Sequence, residues 1–123
     1  MILNELNFQT HVRDWVVACF GQEIADDRGE RNHRFIEEAL ELAQSHGVTK
    51  REVLQLLDYV YDRPVGEPEQ EVGGTFLTFL ALCSAYGYDA HSLGNVELSR
   101  VWGKIEKIRA KQKAKPKFSP LAE

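Results

Sequence analysis

An all-α fold is what this sequence predicts, and three observations carry that expectation. Apolar residues recur at spacings of three and four along most of the chain, no segment alternates with the period of a strand, and the apolar stretches are separated by helix starters and stoppers. With 123 residues, 43% hydrophobic and 28% charged, the composition is that of an ordinary globular chain with enough apolar mass for one core. The reading is a single helical domain over 1–112, a bundle of four to five helices, followed by a flexible basic tail over 113–123.

The first helix is expected over 5–20. Phe8, Val12, Trp15, Val16, Cys19 and Phe20 form its stripe, Asn7 or Thr10 is placed to cap it, and Gly21 is placed to stop it. Residues 22–29 are polar and read as irregular. A second helix runs from about Glu30 to Ser45 and stops at His46-Gly47. Thr49 and Glu52 have the spacing of a capping box and open a helix from about Lys50 to Tyr61. Two prolines and a glycine between Arg63 and Glu69 predict a loop. The next helix, from about Glu69 to Tyr86, is so apolar (Val72, Phe76, Leu77, Phe79, Leu80, Leu82, Cys83) that it reads as central and nearly fully buried. A last helix starts at Asp89 or Ser92 and is expected to continue unbroken to about Lys111.

The net charge of -4 argues against a nucleic-acid partner, although the segment from Lys104 to Lys117 is basic with Glu106 as its one acid. Cys19 and Cys83 lie in apolar runs far apart and outside any metal-ligand spacing, as expected of reduced, buried thiols in a cytoplasmic protein. No basic-plus-apolar leader and no stretch long enough to span a bilayer is evident, so no membrane partner is expected.

The chemistry concentrates in the second helix. Glu38 and Glu41 are related by i, i+3 and Glu37 and Glu41 by i, i+4, so these carboxylates share a face, close to Phe35, Ile36, Ala39 and Leu40. Like charges so placed repel by a few tenths of a kcal/mol when exposed, and by more when desolvated. A cation removes that penalty, and Mg²⁺, with Mn²⁺ as a substitute, takes carboxylate oxygens while leaving positions for phosphate. Glu71, at the start of the apolar helix, is the best third ligand. Phosphates would then need cations: Arg34, one turn ahead of the acids, and Arg100, Lys104 and Lys107, which fall at i, i+4 and i+7 on the expected last helix.

Glu37-Glu38-x-x-Glu41, a spacer of 29 residues, then Glu71 and an apolar run, resembles the all-α nucleoside triphosphate pyrophosphohydrolase superfamily of MazG, dimeric dUTPases and phosphoribosyl-ATP pyrophosphohydrolase. The likeness covers roughly 30–111, and the C-terminal segment around Lys107 to Gln112 resembles the MazG-like proteins of phages and prophages. The resemblance implies a homodimer or a pair of dimers and a Mg²⁺-dependent hydrolysis of a nucleoside triphosphate to monophosphate and pyrophosphate, in a house-cleaning or phage nucleotide-pool role. It places Glu37, Glu38 and Glu41 in catalysis and Glu38, Glu41 and Glu71 on the metal. One position departs: the family's Glu-x-x-Asp is Glu71-Val-Gly-Gly74 here. The alternative is therefore a catalytically weak or inactive relative that binds nucleotide or a protein partner.

Overall fold

The computed structural model describes residues 5–114, and the expected tail lies outside them from residue 115 onward. The described chain is all-α: α1 (Glu5–Phe20), α2 (Gln22–Ala25), α3 (Arg28–Ser45), α4 (Lys50–Tyr61), α5 (Pro68–Tyr86), α6 (Ala90–Trp102) and α7 (Ile105–Ala114). Seven helices replace the expected four to five because two boundaries differ. Residues 22–29 are not irregular, since a single turn, α2, and the first turn of α3 occupy them. The Asp27 carboxylate accepts from the Glu30 backbone N–H at 3.1 Å, which starts α3 two residues earlier than expected. Asn7 and Thr10 lie inside α1 rather than capping it.

The last helix is also interrupted. At Gly103 the helical bond to the Ser99 carbonyl stretches to 3.4 Å, and Lys104 N–H turns instead to Val101 at 3.1 Å, so α6 ends and α7 begins after a short joint. The other terminators behave as their chemistry dictates. Gly21, Gly47 and Gly87 all have positive φ (87°, 83° and 73°), the conformation that lets a chain leave a helix. Thr49 and Glu52 form the complete capping box, and the Asp89 carboxylate accepts from Ser92 N–H at the start of α6.

The chain divides into two compact units, Met1–Ala39 with Asn95–Glu123, and Leu40–Gly94. In the first, α1 packs against α2 and α7. Cys19 and Ala25 are buried, Trp15 meets Phe20 edge-on at 5.7 Å, and Arg13 pairs with Asp26 at 2.6 Å. The Arg109 guanidinium donates to the Cys19 carbonyl at 2.9 Å and to the Ala18 carbonyl, closing the otherwise unpaired end of α1 with α7. Burial pushes the Cys19 thiol up, against a smaller opposing effect of Arg109.

The second unit is held differently. His46, just past α3, stacks on Tyr86 at 4.0 Å, and its Nε2 shares a 3.0 Å hydrogen bond with the Tyr88 hydroxyl. Cys83 is its buried residue. Here the expectation of a central, buried α5 is corrected: Val72 is 71% exposed and Leu77 69%, because nothing within the described chain covers them. No helix among the described residues is long and apolar enough to cross a membrane.

Candidate functional site

α3 displays the three acids as the helical spacing requires, but in a different setting. Phe35, Ile36 and Leu40 beside them are 45–59% exposed, so the acids do not border a buried side of the chain. Glu38 and Glu41 are exposed, and neither makes a hydrogen bond or close ion pair among the described residues; Glu37 is half-buried.

Arg34, expected to meet phosphate, is already engaged. Its Nε donates to Glu30 Oε1 at 2.7 Å and its Nη1 to Glu37 Oε2 at 3.1 Å, while Nη2 is buried with no hydrogen-bond partner among the described residues. Glu37 is therefore an anchor for Arg34 in this structure. Arg100 is likewise held by both oxygens of Glu97, at 2.7 and 2.6 Å. Those hydrogen bonds raise the Arg100 pKa and lower that of Glu97, and Glu38 adds a smaller upward pull on Arg100. Glu38 thus sits within electrostatic reach of α6.

The break at Gly103 corrects the expected basic stripe. Arg100 belongs to α6, Lys104 to the joint and Lys107 to α7, so the three are not one helical face. What the joint does create is an open hollow of about 430 Å³ lined by Trp102, Lys104, Ile105 and Lys107 together with Gly103 and Glu106. Trp102, Lys104 and Lys107 are thus neighbours along one short joint.

Glu71 lies in the first turn of α5, with its carboxylate folded back over the loop: a Cβ built on Gly66 would stand 3.2 Å from Glu71 Cδ. Gly74, one turn on, has nothing within 4 Å of the place its Cβ would take, so an Asp fits there without displacing a neighbour. Among the described residues no group of three or more His, Cys, Asp or Glu side chains is placed to hold a metal ion.

One functional-looking residue escaped sequence reasoning. Glu30 is only 5% exposed, yet it is a carboxylate; Oε1 accepts from Arg34 Nε and, at 2.9 Å, from Gln112 Nε2 of α7, with Arg31 Nη2 3.9 Å away. Burial pushes its pKa up, but the hydrogen bonds from Gln112 and Arg34 and the two guanidinium charges outweigh that and hold it below the usual carboxylate value. The Asp27-x-x-Glu30 spacing was the available signal, and it indicates a helix start rather than burial.

No known protein family, curated protein or solved structure matches the chain.

Proposed function

We propose that the chain is a Mg²⁺-dependent nucleoside triphosphate pyrophosphohydrolase of the MazG-like kind, releasing monophosphate and pyrophosphate and working as a homodimer or dimer of dimers. The observation that carries this reading is the pair Glu38 and Glu41, one turn apart on α3, both exposed and neither in a hydrogen bond or close ion pair among the described residues. Two carboxylates left open in this way are what Mg²⁺ uses when it arrives with a nucleotide, because it binds through one or two acids plus substrate phosphates rather than in an all-protein cage. Glu71 is assigned as the further ligand on the strength of the motif. Lys104 and Lys107, which line the hollow with Trp102, are assigned to the phosphates together with Arg100. Arg34 contributes through its hold on Glu37.

The metal, when bound, polarises phosphoryl oxygens and acidifies water; the chain's own part is to present the acids in a fixed row and to neutralise phosphate charge. Gly74 favours the second reading, a nucleotide- or partner-binding relative without turnover. A panel of unmodified and modified triphosphates with Mg²⁺ or Mn²⁺ separates the two. Pyrophosphate release that is abolished in both Glu38→Gln and Glu41→Gln, with helicity unchanged, is the expected result. Full activity in both variants means the site lies elsewhere.

A further inference from the structure

We propose that Glu30 is a positioning residue for the acid row of α3: it fixes Arg34 so that this guanidinium takes Glu37 and leaves Glu38 to the cation. The contacts run in a chain from α7 to the row. Gln112 of α7 donates to Glu30 Oε1 at 2.9 Å, Arg34 Nε donates to the same oxygen at 2.7 Å, and Arg34 Nη1 donates onward to Glu37 Oε2 at 3.1 Å. Arg34 thus spans two carboxylates, Glu30 four residues back and Glu37 three residues ahead, through different nitrogens. Its planar, pre-formed guanidinium allows this, and the point charge of a lysine does not. Glu30 itself is only 5% exposed, so it is placed to hold Arg34 rather than to touch a ligand.

The consequence for the row is one of charge. Glu37 carries a guanidinium, whereas Glu38 and Glu41 make no hydrogen bond or close ion pair among the described residues. Two unmatched carboxylates equal the charge of a divalent ion. Arg34 is also related to Glu38 by i, i+4, the spacing at which an unanchored arginine pairs with it. The anchor at Glu30 decides between these two acids. With the charge of Glu30 removed, Arg34 is free to turn to Glu38 and compete with the cation there. With Arg34 itself removed, Glu37 joins the row and a repelling charge goes. The two substitutions therefore move metal affinity in opposite directions, although both break the same 2.7 Å bond. A role confined to stability has no such signature. This inference rests on the metal reading of Glu38 and Glu41 given above.

Calorimetric titration of the whole chain with Mn²⁺, in the absence of nucleotide, tests it. Arg34→Gln is expected to tighten binding on the order of tenfold and Glu30→Gln to weaken it about fivefold, both at unchanged helicity. The double variant is expected to bind as Arg34→Gln does alone, because Glu30 acts through Arg34. Should Glu30→Gln not fold, Gln112→Ala keeps every charge, removes one bond to Glu30, and is expected to weaken binding about twofold. Equal affinity in the parent and all variants, or a shift of the same sign in Arg34→Gln and Glu30→Gln, overturns this inference and leaves the metal reading standing. No Mn²⁺ binding by the parent overturns both.

Discussion

Replacing Glu30 by Ala removes the one carboxylate that α3 buries. Two hydrogen bonds to a charged acceptor disappear, from Arg34 at 2.7 Å and Gln112 at 2.9 Å, and the α3–α7 link goes with them. The Arg34 side chain is 15% exposed and that of Arg31 30%, so water reaches them only in part and their charges are left poorly compensated. Loss of one partner of a well-buried pair costs about 3–5 kcal/mol; with Arg31 and Arg34 not fully enclosed, we expect roughly 3 kcal/mol near neutral pH. Glu30→Gln keeps the shape and an acceptor and is expected to cost about half as much. Because the folded pKa is depressed, Glu30 contributes stability that is fully present above the unfolded carboxylate value and is lost as pH falls through the folded one. The Gln variant should therefore lose less stability than the parent between neutral and strongly acidic pH. Trp15 and Trp102 both belong to the Met1–Ala39 and Asn95–Glu123 unit, so urea unfolding followed by tryptophan emission reports on that unit. A Glu30→Ala cost below about 0.5 kcal/mol, the range of ordinary surface changes, with an unaltered pH profile, would refute the assignment of Glu30 as the buried tie.

Thr49→Ala removes the hydroxyl that accepts from Glu52 N–H at 3.2 Å and is expected to destabilise the Leu40–Gly94 unit by about 1 kcal/mol, measured by thermal melting with circular dichroism. Gly74→Asp meets open space and should leave helicity unchanged while tightening Mn²⁺ binding in calorimetry; unchanged affinity means position 74 does not serve the metal. Arg109→Ala uncovers the Ala18 and Cys19 carbonyls and should cost about 1–2 kcal/mol in the same urea experiment.

Where local chemistry decides the outcome, the sequence is a sufficient guide. The positive-φ glycines after α1, α3 and α5, and the Thr49 capping box, are properties of a few adjacent residues, and each stands where the spacing places it. The row of acids on α3 is equally local. The break at Gly103 is not, because Leu98, Val101, Trp102, Ile105 and Ile108 keep a helical rhythm straight through it. A single glycine within a continuing helical rhythm does not by itself mark an end. Glu30 was hidden for a related reason: the Gln112 that helps to bury it lies 82 positions away. The exposure of α5 escaped because periodicity tells that a helix wants cover, without telling whether its own chain supplies it. How the α3 acids stand to Glu71 is likewise beyond spacing along one helix.

The central claim is a particular bond cleavage, and phosphorus-31 NMR of a triphosphate incubated with the protein and Mg²⁺ tests it most directly. Cleavage between the α and β phosphorus atoms gives paired resonances of nucleoside monophosphate and pyrophosphate in equal amount, which is the predicted spectrum, dependent on Mg²⁺ and lost in Glu38→Gln. Diphosphate with inorganic phosphate, or an unchanged triphosphate across the panel, contradicts it.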